Sequence, residues 1–298
     1  MDNGLTIQDS EGNQYVWVEV PRTAEVYSTA GLEIKEFTDE EYNRIESDLH
    51  EYTKDYRENE GKDEYYSDET TGLTRNQYYE LKKKMLKSVY RNGGFYVGKY
   101  ETGIEDKPKI FGSADEVPVE IPVIKKNVYP YNNVTCSQAQ VLANSMESGN
   151  YTSSLMFGVQ WDLVLKYLEI KGVSKADLRT DSTSWGNYQN NLWNITNVNS
   201  KYAIKGLEWT SRAYGKKETN ESILLSTGAN DDFCKQGIYD LAGNVYEWTL
   251  EYTSYSNVPC TFRGSSCNSY GDSYPVVYRN AYITTLYDGY IGFRVSIF

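Results

Sequence analysis

The stretch from Tyr252 to Phe298 contains no lysine, glutamate, glutamine, methionine or tryptophan, although the preceding chain uses all five. The last tryptophan is Trp248, the last lysine Lys235 and the last methionine Met156. These five types make up about a quarter of an average soluble chain, so a stretch this long would avoid them all on the order of once in a hundred thousand sequences. They share one property: none has a codon ending in a pyrimidine. Asparagine codons (AAC) randomised at their adenines yield Tyr, Ser, Asp, Cys, Val, Ile, Leu or Gly, and never any of the five. The composition therefore points to varied codons. The plain alternative is that buried strands and glycine-rich loops avoid charge.

Other shortages narrow the function further. Histidine occurs once, as His50 in a charged helical stretch, where a solvated surface position is expected. That count excludes most histidine-based metal catalysis. The four cysteines, Cys136, Cys234, Cys260 and Cys267, form no CxxC pair and no metal spacing, and so require no oxidising compartment. Basic residues are outnumbered: the net charge of -12 and pI near 4.8 argue against nucleic acid and anionic membranes as partners. No apolar run approaches the roughly 20 residues of a membrane span. The start, Met1-Asp2-Asn3-Gly4, shows neither the basic nor the apolar region of a secretory signal. Unless the protein is displayed on a virion or a cell surface, the expectation is cytoplasmic.

Tyrosine, in contrast, is abundant: 29 residues against 8 Phe. It offers large contact area at low entropic cost and keeps a polar tip, which suits binding surfaces. At 298 residues the chain can bury a full core. It shows no Pro- or Ser-rich linker and no clear repeat, so residues 1–298 are expected to form one domain.

Gln14 to Val20 reads as a strand ended by Pro21. Thr38-Asp39-Glu40-Glu41 and Thr74-Arg75-Asn76-Gln77 are capping boxes. Each opens a helix, with stripes of Tyr42, Ile45, Leu49 and Tyr52 and of Tyr78, Leu81, Met85 and Val89. The charged stretch Glu58 to Asp68 is expected to be an exposed loop. Asn92-Gly93-Gly94 stops the second helix, and Phe95 to Tyr100 returns to strand. Thr135 opens a third helix, and a fourth is expected from about Phe157 to Ile170. From Asp181 to Phe233 the pattern is one of long ordered loops, with Trp185, Trp193 and Trp209 needing burial.

Three late blocks, Asp240-Leu241-Ala242-Gly243-Asn244-Val245-Tyr246-Glu247-Trp248, Arg263-Gly264-Ser265-Ser266 and Gly292-Phe293-Arg294, together resemble the signature of the formylglycine-generating enzyme family. Phe95 to Glu101, Val134-Thr135 and Gln160-Trp161-Asp162 resemble upstream family elements in the same order. The resemblance covers most of residues 90–298, with Tyr15 to Val20 as the first strand and residues 30–90 as a helical insertion. It implies an α+β class and a C-type lectin fold of the formylglycine-generating enzyme subtype. Small twisted antiparallel sheets, two core helices and long loops are expected. In that family two cysteines follow the second block as a copper-holding thiol pair. Here the equivalent positions fall on Ser269 and Tyr274, which cannot supply a soft thiolate. The resemblance thus implies the fold without the catalytic pair, and an enzyme would need Cys260 and Cys267 to converge instead. Family residues matching Asp240, Gly243, Val245 and Glu247 hold a structural calcium, and an oxygen-only set suits that ion. The alternative is that Asp240 caps a turn while Glu247 pairs with an arginine such as Arg294. No cofactor is otherwise required.

The chain also resembles the variable proteins of diversity-generating retroelements, which use this fold and end in a segment mutagenised at adenines. That resemblance implies ligand-contacting variable positions at Ser266, Cys267, Asn268, Ser269, Tyr270, Asp272, Ser273, Tyr274, Val277, Tyr278, Asn280, Tyr282, Ile283, Leu286, Tyr287, Asp288 and Tyr290. Residues 263–298 would be the hypervariable region, with Arg263, Gly264, Pro275, Arg279, Ala281 and Gly292 as scaffold. The partner expected is a protein or glycan on a cell surface, and the carrier a phage tail or cell surface. Two rivals stand beside this expectation: an oxidase of the first family, and a structural phage-tail or prophage component.

Overall fold

A computed structural model describes residues 4–57, 61–106, 120–204, 208–210 and 212–298. In chain order its main elements are strands β1 (Thr6–Gln8) and β2 (Gln14–Glu19), helix α1 (Asp39–Tyr52), strand β3 (Gly61–Lys62), helix α2 (Arg75–Asn92) and strand β4 (Gly94–Gly98). Helix α3 (Cys136–Ser145), strand β5 (Ser153–Leu155) and helix α4 (Gly158–Ile170) follow. The last third holds strands β6 (Tyr246–Thr253), β7 (Cys260–Arg263), β8 (Arg279–Tyr282), β9 (Ile291–Phe293) and β10 (Val295–Ile297).

Local chemistry sets these boundaries. In α1, α2 and α3 a threonine hydroxyl at the cap accepts from a backbone N–H three residues on, and the Glu or Gln there takes the threonine N–H in return. These reciprocal bonds satisfy donors that a helix start leaves open. Gly93 ends α2 in the left-handed region at φ 75, where a side chain would be strained. Helix α4 differs. Phe157 precedes it and offers no capping oxygen, and the cap comes from far away in sequence. Asp63 accepts from the N–H groups of Gly158 at 2.6 Å and Val159 at 2.9 Å.

The first sheet runs β1-β2-β4-β10-β5 and is antiparallel throughout. Helices α1 and α2 are thus inserted between two adjacent paired strands. The second sheet runs β8-β7-β6-β9, with β3 pairing the far end of β6. Its β6–β9 pair is parallel, the one departure here from the expected antiparallel pattern. The chain leaves β9 in the second sheet and enters β10 in the first across a single residue, Arg294. Between the sheets lies α4, buried on nearly every side, with Trp161, Val164, Leu165 and Leu168 in one core with Phe95, Phe293 and Val295. Among the loops of residues 181–233, Trp185 and Trp193 are buried, while Trp209 is half-buried against Tyr129.

The stretch from Glu58 to Asp68, expected as an exposed loop, is exposed only in part: Glu64, Tyr66 and Asp68 face solvent. Gly61 and Asp63 are buried, because Asp63 caps α4 and β3 joins the second sheet; residues 58–60 lie outside the described residues. His50 is half-buried too, with Nε2 3.4 Å from Asp63 and 3.8 Å from Glu46.

At the crossover Arg294 donates to both oxygens of Glu247 (2.7 to 3.1 Å), and to the carbonyls of Gly98 and Tyr239, both at 2.8 Å. Both partners are buried. Arg294→Met leaves the Glu247 carboxylate buried without its cation, a loss of about 3–5 kcal/mol. Denaturant unfolding measures it, and adding Glu247→Leu should recover most of the loss. A double variant no more stable than the single one contradicts this account.

Candidate functional site

Strand β8 is the edge of the second sheet, so the tail runs outward from a buried strand, β7. Beneath it lies a closed set of charges. Arg263 donates to Asp162 at 2.8 Å and to Glu251 at 3.1 Å. Arg279 reaches Asp162 at 3.2 Å and also bonds Glu251 and the Tyr56 carbonyl. All four charged side chains are buried. Burial raises the Asp162 carboxyl, opposed by the pull of Arg263 and Arg279.

The insertion extends this set. Arg57 lies 3.5 Å from Asp63 and 4.0 Å from Asp162. Lys82 lies 2.6 Å from Glu46 and donates to the Asp63 carbonyl at 2.5 Å. Burial works to raise the Asp63 carboxyl, but His50, Arg57 and Lys82 together hold it well below the usual carboxylate range. Glu46, His50 and Asp63 bring ligand atoms within 4.8 Å of one another, a metal-like grouping. The charges decide against a metal there. Four carboxylates (Glu46, Asp63, Asp162, Glu251) already face four cations (Arg57, Lys82, Arg263, Arg279), so a divalent ion would enter a neutral site beside two positive groups.

Above these charges the positions expected to vary divide by exposure. Asn268, Tyr270, Asp272, Ser273, Tyr274, Tyr282, Ile283 and Asp288 are exposed, whereas Ser269, Tyr278, Asn280, Leu286, Tyr287 and Tyr290 are half-buried. Tyr270, Tyr274, Tyr282 and Ile283 keep 42%, 39%, 45% and 44% of their surface in water. Three expected contact residues are corrected: Ser266, Cys267 and Val277 are buried. The loop after Arg263 turns inward, because Gly243 N–H donates to the Gly264 carbonyl and Cys267 N–H to the Asn244 carbonyl. Cys267 then packs with Ala203, Leu224 and Val245. Val277 lies in the main core, its N–H donating to the Leu178 carbonyl.

The loop 182–190 holds the tail in place. Ser182 N–H donates to the Gly271 carbonyl, Gln189 N–H to the Ser269 carbonyl, and Gly271 N–H to Asn190 Oδ1. A Cβ on Gly271 would come within 2.7 Å of the Thr183 backbone, so glycine is needed there. Neither these partners nor the role of Tyr246 was legible before the fold was known. Its half-buried ring packs 4.5 Å from Phe262 and its hydroxyl bonds Ser269. Phe262 in turn pairs with Asn280, so Tyr246 joins the two halves of the segment.

At the positions expected for a catalytic thiol pair stand Ser269 and Tyr274. Cys260 packs against Cys136, far from the Cys267 cluster, so the two do not converge. Burial pushes the Cys267 thiol up to about 12, which keeps it protonated and unreactive. Ser269 bonds Tyr246, and Tyr274 stacks edge-on to Tyr278. The acidic block behaves similarly. Glu247 gives both oxygens to Arg294, and Asp240, in a left-handed turn at φ 56, accepts from Gly228 N–H at 2.6 Å. Burial pushes Asp240 up to about 7, and burial together with Asp240 and Glu247 raises Glu101 well above the usual range. Asp240 thus supports a turn and Glu247 an ion pair.

Residues 125–297 match the Sulfatase-modifying factor enzyme 1-like domain family, and the chain belongs to that family. Its fold is accordingly the α+β C-type lectin fold of the formylglycine-generating enzyme subtype. No curated protein matches significantly. Among solved structures, Treponema denticola variable protein 1 is 15% identical, covering 68% of this chain and 84% of that one, with a TM-score of 0.38. CarF is 13% identical, covering 68% and 85%, also at 0.38. No helix among the described residues is long and apolar enough to cross a membrane.

Two outcomes follow from the burial and charge. Cys267→Tyr, an outcome that codon randomisation permits, should cost about 1–3 kcal/mol or more by overpacking, while Tyr282→Ser stays within about 0.5 kcal/mol. Equal effects in urea unfolding would contradict the assignment. Acid is the second lever. The folded Asp63 carboxyl lies below its ordinary 3.8, so the unfolded chain takes up that proton first and acid removes its contribution. Between about pH 4.5 and 3 the melting temperature of Asp63→Asn should fall less steeply than that of the parent protein. Parallel slopes would show that Asp63 is not held low.

Proposed function

We propose that this protein is a non-enzymatic binder that presents a diversified, tyrosine-rich C-terminal surface to a macromolecular ligand. The observation that carries this reading is the division within the tail. Positions reachable by adenine mutagenesis are mostly exposed or half-buried, while of the expected scaffold residues Arg263, Gly264, Pro275, Arg279 and Gly292 are buried and Ala281 is half-buried. A surface of Tyr, Asn, Ser and Asp binds by shape and hydrogen bonding, with a few aromatic anchors supplying most of the affinity. Tyr270, Tyr274 and Tyr282 are the exposed anchors; Tyr287 is half-buried. The ligand class is a protein or glycan on a cell surface, and the carrier a phage tail or the surface of the producing cell. Thiol-dependent oxidation is disfavoured because Cys260 and Cys267 lie in separate buried clusters and the positions expected for a thiol pair hold Ser269 and Tyr274.

The test is to sequence the last 40 or so codons of this locus across many isolates. The expected result is variation at the accessible positions, confined to adenine-derived changes, with Arg263, Gly264, Gly271, Arg279 and Gly292 constant. Uniform codons, or variation spread over those buried positions, would overturn the proposal.

A further inference from the structure

The insertion between β2 and β4 has two features that a separate docking module does not need. Its most buried charge, Asp63, points into the core and not toward solvent. Its strand β3 pairs with β6, Gly61 opposite Thr253 and Lys62 opposite Tyr252, at the end of the sheet that carries the tail.

Gly61 makes the closest approach. A Cβ built there would lie 1.4 Å from Glu251 Oε1 and 2.6 Å from Arg279 Nε, so the Gly61 backbone closes directly over the bond between those two side chains. On the same side the Tyr56 carbonyl accepts from Arg279 Nη1 at 3.5 Å. Asp63 completes the support by two routes. Its carboxylate caps α4, the helix that carries Asp162, and it holds Arg57, whose other charged neighbour is Asp162. Asp162 receives both Arg263 and Arg279. Arg279 is the first residue of β8, and the tail's exposed Tyr282 and Ile283 follow three and four positions later.

We infer that the insertion is a brace for the tail: Gly61, Asp63 and Arg57 are positioning residues that fix Arg279 and thereby the course of β8 and the residues after it. The role deepens the binding reading above and rests on it for its purpose, since a preordered surface loses less entropy when it binds. The bracing itself is a property of the free protein.

The experiment uses the full chain without ligand. Amide hydrogen exchange is compared for parent, Asp63→Asn and Arg57→Gln, reading residues 278–287 against β2 and β4 in the other sheet. The expected result is exchange at least tenfold faster in 278–287, with β2 and β4 unchanged. No change in 278–287, or an equal increase throughout, overturns the inference. Arg57→Gln, at the half-buried rim, supplies the reading should Asp63→Asn fail to fold. Because no ligand enters, uniform codons at the locus would sink the binding proposal without touching this result. Unaltered exchange would sink the brace and leave that proposal standing.

Discussion

Much of this structure depends on ionic groups that cannot be buried singly. Asp162, Glu251, Arg263 and Arg279 lie in the interior, and each would be costly alone. Together with Glu46, Asp63, Arg57 and Lys82 they balance, and apart from the Arg57–Asp63 pair each ion pair joins different elements of the fold. Sequestered charges of this kind are poor evidence of net stability, but they penalise every arrangement that leaves one unpaired. The set therefore acts on uniqueness. It forces α1, α2, α4, β6, β7 and β8 into one relative placement. Arg294 and Glu247 do the same where the chain crosses from the second sheet to the first.

This division would suit the diversified surface proposed above. A face whose own side chains made the core could not vary without unfolding the protein. Here Arg263 and Arg279 face inward to charge, while the positions proposed to vary, Ser266, Cys267 and Val277 apart, lie on the other side or at the edge. Loop 182–190 adds backbone hydrogen bonds that do not depend on which side chains the tail carries. The scaffold thus specifies the path of the chain and leaves the surface chemistry open.

The fold was largely legible because its signals are local. Three threonine capping boxes and the Gly93 stop reflect bonds made within a few residues, and the run of β-branched and aromatic residues at Gln14 to Glu19 reflects local strand preference. The family blocks were equally readable, since Gly243, Arg263 and Arg294 sit at fixed turns and ion pairs. What sequence could not give was long-range. Asp63 looked like one more acid in a charged loop, and only its distance from Gly158 reveals a cap. His50 looked solvated for the same reason. Ser266, Cys267 and Val277 were expected at the surface because codon identity carries no information about which way a residue faces.

Those three positions also show how far codon chemistry and folding can conflict. Adenine mutagenesis would treat Cys267 and Tyr282 alike, since it acts on DNA and is blind to burial. Folding does not treat them alike. Cys267 packs against Ala203, Leu224 and Val245, where a small apolar side chain fits and a large or charged one does not. Tyr282 borders solvent and accepts almost any residue. Under the proposed diversification the folded repertoire would therefore be smaller than the encoded one, trimmed at the positions where the tail turns inward. A fold can tolerate such waste only if few varied codons face the core. Edge strand β8 and the long loops beside it meet that condition, because most of their residues have water on at least one side.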